Sequence, residues 1–535
     1  MASVISRVDR RQGLAWLALL ALAIFGAWGW WSLGRPVAMP DAPSGRIACV
    51  SYAPFRLPGE SPLDVHAFIS PERIDADLRA LSQRFDCVRT YSQGQGLSAV
   101  PRIAQRYGMK VLLGIWLGRD PVANAEQVRL GIATARAWPQ VLRGVIVGNE
   151  VLLRGELSAP ALAAYVREVR AAVKAPVTYA DVWEFWLRHP QLAASVDYLT
   201  IHILPYWEDQ PVAPARALQH VADVYAKVRA AFPGKAVMIG ETGWPSAGRQ
   251  RQAADASIVN EARYLRGFLD YAAAVHMPYN VIEAFDQPWK RAQEGTVGGY
   301  WGIFDAQARP KFPMTGPVAE VARWWLGWLA ALGGAVVFVL CGVPARRWRG
   351  TRGWLALGLS GFAAGSALAW QARQMAYAAR DGWEWTLSIT ACAAALVTAV
   401  LLSRRIASRM AATPATLRPA MVDAAPGGLR MAWLFTLAFY GLLLVFDGRY
   451  RDFPLGLFAL PCIGYALLDG LLSRATLPTL EERFLAAWLP LLATIVVVQE
   501  AGLTQTAWLW LGLNLALAWP VLRGWLGPRL RTQQA

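Results

Sequence analysis

Two rhythms of apolar residues divide the chain. The first is coarse. Long apolar runs lie at 14–33 and then at about 324–343, 353–370, 384–402, 431–446, 454–472, 484–499 and 504–522. A helix needs roughly 20 apolar residues to cross a bilayer, so each run is read as a span. The second rhythm is fine and fills 46–320. Short β-branched runs there (47–52, 87–91, 110–116, 144–149, 177–180, 198–202, 236–240 and 280–285) alternate with amphipathic stretches such as 71–85 and 159–173. Ser158 is placed to cap the second of these stretches, and Pro160 sits in its first turn.

Strands alternating with helices imply parallel βαβ units. Eight beats match a (β/α)8 barrel, which typically takes about 250 residues. A doubly wound open sheet is the competing arrangement, but no GxGxxG follows the first run. The expected class is therefore α/β: a (β/α)8 TIM barrel plus a multi-span α-helical membrane domain. The expected organisation is an inside tail at 1–13, an anchor at 14–33, a Pro-rich linker at 34–45, the soluble barrel at 46–320, seven further spans within 321–525 and a second inside tail at 526–535.

Composition strengthens the membrane half of this picture. The chain is 55% hydrophobic and only 17% charged, and many of its 26 Trp residues stand near the ends of apolar runs. The net charge of +16 does not point to nucleic acid, because no zinc, helix-turn-helix or RNA-binding signature accompanies it. The basic residues instead set orientation. With the N-terminus inside, Arg7, Arg10, Arg11, Arg346, Arg347, Arg349, Arg352, Arg404, Arg405, Arg409, Arg418, Arg430, Arg474, Arg483, Arg523, Arg529 and Arg531 all fall inside. Only Arg373, Arg380, Arg449 and Arg451 fall in outside loops, with Arg35, Arg46 and Arg323 flanking the barrel. The barrel then lies outside the inner membrane, where ATP and nucleotide sugars are lacking. Glycosyl chemistry there must draw on existing glycosidic bonds.

Five cysteines are too few and scattered for a disulfide framework, so all five are expected as small buried hydrophobes. Neither the cysteines nor the five histidines have metal-ligand spacing, and no metal or cofactor is expected. Asp75 and Asp77 form a DxD, but inside a predicted helix where they face apart.

In a barrel of this kind, catalytic groups sit where strands end. Glu150 closes the run GVIVGNE, and Glu241 follows AVMIG. Glycosidic cleavage needs two carboxyl groups flanking the bond: one protonates the leaving oxygen, the other attacks the anomeric carbon or activates water. Asn149, directly before the first glutamate, is placed to hold a sugar 2-hydroxyl. His202, at another strand end, is placed to orient a carboxylate. Tyr52, Tyr91, Tyr206, Trp244 and Trp289 adjoin these motifs and are expected to bind sugar, whose C–H faces stack on aromatic rings.

The motifs VGNEV (147–151) and IGETGWPS (239–246) resemble those of glycoside hydrolase family 17, the β-1,3-glucanases and glucosyltransferases. RTYS (89–92), LPYWE (204–208) and EAFDQPWK…GYWGIFD (283–305) fit as well. The resemblance implies a retaining mechanism, with Glu150 as acid/base and Glu241 as nucleophile, standing about 5–5.5 Å apart. Lys290 matches a lysine of the family, which implies a substrate-binding role for it. Gln287, three residues before it, stands where plant members carry a glutamate, so an accessory carboxylate is expected to be missing. The whole architecture resembles bacterial membrane forms linked to periplasmic β-glucan assembly, including chains labelled β-(1→6)-glucan synthase. That implies a multi-pass protein of a bacterial inner membrane with a periplasmic catalytic domain. Its partners would be β-glucan, the lipid bilayer and a glucan synthase. Three functional readings follow: a transglycosylase remodelling, branching or elongating glucan, a β-1,3-glucan hydrolase, and a non-catalytic glucan-binding or export scaffold.

Overall fold

The computed structural model describes residues 2–343, 350–411, 427–473 and 477–526. The expected tail at 526–535 lies outside them except for its first residue, as do Arg346, Arg347, Arg349, Arg418, Arg474, Arg529 and Arg531 of the orientation argument. The chain forms two compact units, Val37–Val318 and a second made of the stretches up to 36 and from 319 on.

In the first unit, β1 (Val50–Ser51), β2 (Cys87–Arg89), β3 (Lys110–Ile115), β4 (Leu142–Asn149), β5 (Val177–Val182), β6 (Leu199–His202) and β7 (Val237–Glu241) form one sheet. Its strands are parallel and lie in chain order. The eighth predicted run is not a regular strand. Tyr279 bridges Ile239 of β7, and Val281 bridges Val50 of β1, both in parallel. Backbone bonds from Asn280 N to Ile239 O (2.9 Å), Val281 N to Cys49 O (3.0 Å) and Ala284 N to Ser51 O (2.9 Å) continue the contact. The sheet curls until its edges meet through this segment, consistent with a (β/α)8 barrel. A β1 of two residues offers too few ladder positions for a full eighth strand.

Alternation along the strands separates two layers. Val50, Val88, Val111, Leu113, Val145, Val147, Ile201 and Ile239 belong to the large core shared with the helices. Cys49, Cys87, Leu112, Ile146, Ala180 and Met238 form a separate cluster, the inner layer of the sheet. The helices between strands start where the sequence places caps: Ser158 Oγ accepts from Ala161 N at the head of Ala159–Ala172.

Two expectations are corrected here. Cys49 and Cys87 form a disulfide, with Cα atoms 4.3 Å apart. Composition missed this because pairing depends on register: Val50 pairs with Val88, which sets Cys49 directly opposite Cys87. The proposed linker also belongs largely to the barrel unit. Val37 and Val318 exchange backbone bonds of 2.8 and 3.1 Å, and Ala42 N donates to Met314 O at 3.0 Å.

The second unit is helical. Helices occupy all eight coarse apolar runs. Among the described residues, six are long and apolar enough to cross a membrane: Arg10–Gly34, Trp325–Gly342, Gly350–Ala378, Gly382–Ala411, Gly428–Tyr450 and Leu455–Leu472. The expected spans at 484–499 and 504–522 are the helices Leu480–Gln499 and Gln505–Leu526, which fall outside that set. The former opens on Glu481, Glu482 and Arg483, and the latter carries Gln505, Asn514 and several Trp, which lower mean hydropathy.

Candidate active site

The inner layer of the barrel changes character along its strands. On β2, Cys87 gives way to Arg89 and then, beyond the strand, to Tyr91. On β4, Ile146 gives way to Gly148 and Glu150. On β6, Thr200 gives way to His202. Each pair is two residues apart, so the same face that packs the barrel floor presents charge at the C-terminal mouth. Gly148 at φ +83° and Glu150 at φ +53° turn the chain out of β4. A Cβ on Gly148 would come within 2.9 Å of Val151, so the turn needs glycine there. A non-glycine residue in the left-handed region is strained, which is common at functional sites.

Oxygen atoms of Glu150 and Glu241 and a ring nitrogen of His202 all lie within 4.8 Å of one another. His202 Nδ1 stands 2.8 Å from Glu150 Oε1, and its Nε2 stands 3.7 Å from Glu241 Oε1. Glu241 is buried. Its Oε1 accepts from Arg89 Nη1 at 3.1 Å and lies 2.8 Å from the Tyr91 hydroxyl, which is also 2.8 Å from Ser51 Oγ. No protein donor among the described residues reaches Glu241 Oε2. Burial alone would raise the pKa of this carboxyl. The charges of His202 and Arg89, the Tyr91 hydroxyl and the Lys290 ammonium outweigh burial and hold it below its ordinary value. Glu241 is therefore held as an ionised carboxylate with one oxygen unspent.

Arg89 organises the mouth. Besides Glu241 it donates to Gly240 O at 2.7 Å and to Asn149 Oδ1, and its guanidinium lies 4.7 Å from the Tyr91 ring centroid. Holding Asn149 Oδ1 leaves the amide N–H groups for a ligand. The sequence reading named Arg89 only within RTYS. Its signal was a lone arginine in an otherwise apolar strand, on the face that continues Cys87. A cation at the Glu–His–Glu cluster would share the space with Arg89 and Lys290, so the donor set suits a glycosidic carboxylate pair better than a metal.

Asp181, near the end of β5, is a further acid beside the site that the sequence analysis does not name. It is buried, accepts from the Tyr179 hydroxyl, and takes a 2.8 Å bond from Val182 N. Burial pushes its pKa up to about 6, with the Glu150 charge adding to the rise and the Tyr179 bond and His202 opposing it.

The expected sugar-binding residues divide. Tyr91 bonds Glu241, Asn149 bonds the Arg89 that also holds Glu241, Lys290 acts on Glu241 through its charge, and Trp289 is half-buried with its indole N–H on Gln287 Oε1 at 2.8 Å. Tyr52, Tyr206 and Trp244 are core residues instead. Tyr52 bonds Asp77 at 3.1 Å, Tyr206 bonds Arg249 O, and Trp244 bonds Asp255 O at 2.9 Å. Nearness to a motif in sequence does not fix depth, and these large rings fill the volume behind the motifs.

The missing accessory carboxylate is also corrected. Lys290 Nζ donates to both oxygens of Glu283, at 2.8 and 2.9 Å, and Gln287 Nε2 donates to the same carboxylate. Glu283 lies four residues upstream of Gln287, on the segment that closes the sheet.

A curled parallel sheet bearing two close carboxyl groups at its mouth defines an enzyme of the glycosidase class. Comparison with known proteins narrows the class. Residues 49–302 match the BtgE/BtgC glycoside hydrolase domain. The glucan 1,3-beta-glucosidase of Arthroderma benhamiae is 27% identical over 255 residues, covering 44% of this chain and 82% of that protein. The glucan 1,3-beta-glucosidase of Schizosaccharomyces pombe is 27% identical over 258 residues, covering 44% and 78%. The crystal structure of the glycoside hydrolase family 17 beta-1,3-glucanosyltransferase from Rhizomucor miehei is 26% identical with a TM-score of 0.44, covering 52% of this chain and 98% of that one. Residues 49–302 are thus similar to a glycoside hydrolase domain, and the chain is an enzyme, a glycosidase or transglycosylase acting on O-glycosyl bonds.

Proposed function

We propose that the chain is a membrane-anchored, retaining β-1,3-glucan transglycosylase working through a covalent glucosyl–enzyme. The observation that carries this reading is the approach of Glu150 and Glu241 within 4.8 Å, with His202 between them. A spacing near 5 Å suits direct attack by one carboxylate, whereas inverting pairs stand roughly 6.5–9.5 Å apart to admit water. Glu150 protonates the glycosidic oxygen as Glu241 Oε2 attacks the anomeric carbon, giving a glucosyl ester and a freed sugar hydroxyl. Glu150, now ionised, takes the proton of an incoming hydroxyl as that oxygen displaces Glu241. Arg89 and Tyr91 hold Glu241 Oε1, and Asn149 offers its amide to the 2-hydroxyl.

Transfer exceeds hydrolysis only where an acceptor sugar is bound and oriented, an advantage worth effective molarities of about 10⁵ M or more. The apolar helices favour transfer, because an enzyme tethered where a glucan emerges meets acceptor chains continuously. The Cys49–Cys87 disulfide favours an oxidising compartment such as the periplasm of a bacterial cell. Hydrolysis is the second reading, favoured by the fungal relatives named as glucosidases. The test is to incubate the full chain in detergent with β-1,3-linked gluco-oligosaccharides and to measure product mass and linkage. Products longer than the donor are expected. Shorter products alone give the hydrolase, and no reaction overturns both readings.

A further inference from the structure

The mouth of the barrel carries one ring that the mechanism above leaves idle. Alternation along β3 runs from Leu112 in the inner layer through Gly114 to Trp116, one residue past the strand. That is the face on which β2 presents Tyr91 and β4 presents Glu150, and β3 lies between these two strands. A Cβ on Gly114 would come 2.6 Å from Tyr91 Cα, so the chain carrying Tyr91 packs closely against β3 just before Trp116. Tryptophan is highly buried on average, because its large ring gains much by leaving water. Trp116 is nevertheless 38% exposed, and among the described residues of the barrel unit it is the only tryptophan so exposed.

The ring is also held in place. The Arg154 guanidinium lies over it, 4.3 Å from the centroid. Arg154 donates through Nη2 to Leu117 O at 2.8 Å, through Nη1 to Asn149 O, and through Nε to Glu156 Oε2 at 3.0 Å. One arginine thus ties the residue after Trp116 to the residue before Glu150. A ring immobilised in advance loses little freedom when a ligand covers it.

We propose that Trp116 is the platform for the second sugar of the donor, the glucose joined to O3 of the one that reacts. This rests on the reading given above, in which Glu241 attacks and Asn149 offers its amide to the 2-hydroxyl. In a β-1,3-linked chain, the next glucose toward the non-reducing end is attached through O3, the oxygen adjacent to that 2-hydroxyl. It leaves the reacting sugar on the side of Asn149, and Arg154 joins Asn149 to the Trp116 loop. In a β-1,4-linked chain the next glucose leaves from O4, one carbon further from the 2-hydroxyl. The ring therefore reads the linkage of the donor as well as its length. Contacts to a sugar remote from the reacting bond are spent on the transition state, so a donor without a second sugar forgoes them.

Three aryl β-glycosides separate these contacts: those of glucose, of the β-1,3-linked glucose disaccharide and of the β-1,4-linked disaccharide. With the full chain in detergent, kcat/KM for the β-1,3 disaccharide is expected to exceed that for the glucoside by about tenfold or more, and the β-1,4 disaccharide to gain less. Trp116→Ala should shrink the β-1,3 advantage about tenfold, the order expected for one lost stacking contact. Trp116→Phe keeps an aromatic face and should retain most of it. If Trp116→Ala fails to fold, Trp116→Leu, which keeps bulk without the flat face, is read in its place. A merely structural role lowers all three donors alike and leaves their ratios unmoved, which overturns the proposal. Unmoved donor ratios with a changed split between transfer and hydrolysis overturn it too, because the ring then serves the acceptor. So does a parent chain that turns over the donors without preference. A parent that acts on none of them overturns the proposed function itself, a result distinct from all of these.

Discussion

In the barrel unit, Arg89, Glu241 and Glu283 are buried, with Lys290 half-buried and paired to Glu283, yet the cluster keeps atoms in reserve. Glu241 Oε2 takes no bond from a described residue, and Arg89 Nε is buried with no partner. The helical unit also buries a charge cluster. Arg430 donates through Nη1 to Asp469 at 2.9 Å and through Nε to Glu482 at 2.9 Å, while its Nη2 stands 2.8 Å from Glu482. Glu482 spends its other oxygen on Thr479 N, capping its own helix, and Arg523 closes on the Asp469 and Gly470 carbonyls. Every nitrogen of Arg430 is used. The contrast separates two purposes of buried charge. A cluster that keeps polar atoms unspent is built to receive a ligand, whereas one whose members satisfy each other holds segments of chain in register.

The sharpest way to break the comparison is to remove the nucleophile. Glu241→Gln retains the shape of the side chain and its contacts with Arg89 and Tyr91 but cannot form the ester. Turnover of β-1,3-gluco-oligosaccharides is expected to fall by about 10⁴-fold or more, with thermal unfolding nearly unchanged. Residual turnover within tenfold of the parent would show that the unspent oxygen is not the reacting atom.

The reverse outcome is expected in the helical unit. Arg430→Met leaves Asp469 and Glu482 buried and unpaired, a loss of about 3–5 kcal/mol. Replacing all three by Met, Leu and Leu should recover much of that, because paired charges and apolar residues of similar volume are often near parity. The readouts are the unfolding temperature of the full chain and its activity per folded molecule, the second of which should hold. Lost activity at unchanged stability would make this cluster functional and erase the contrast.

Much of this was legible in the sequence. Seven of the eight short runs became strands, because an apolar β-branched run between turn residues has few other places to go. The glutamates could be read because each directly follows such a run. Other features depended on register and depth, which a single sequence does not carry. Cys49 faces Cys87 only because β1 and β2 pair without offset. Glu283 meets Lys290 because the eighth segment bridges the sheet edges without becoming a full strand. Tyr52, Tyr206 and Trp244 lie beside motif residues in the chain but behind them in space.

The smallest effect tests how much tension the barrel's buried acids store. Burial raises Asp181 and Asp286 to about 6 and Glu283 to about 7, with nearby cations and hydrogen bonds opposing the rise in each case. An acid with a raised folded-state pKa binds its proton more tightly folded than unfolded. Its contribution to stability is complete below the ordinary carboxylate value of about 4 and is lost as pH climbs through the folded value. Glu241, held below its ordinary value, has the opposite sign and contributes above it. The unfolding temperature should therefore decline by several degrees from about pH 4 to pH 7, a slope to which Asp77 and Glu294, also raised by burial, add. Asp181→Asn fixes one of them in a neutral form that still accepts from Tyr179. It should flatten the decline between about pH 4 and 6 and leave the part nearer pH 7, which belongs to Glu283. A variant profile running parallel to the parent's would mean that Asp181 keeps the same proton affinity folded and unfolded. The barrel would then bury that acid as comfortably as the helical unit buries its ion cluster.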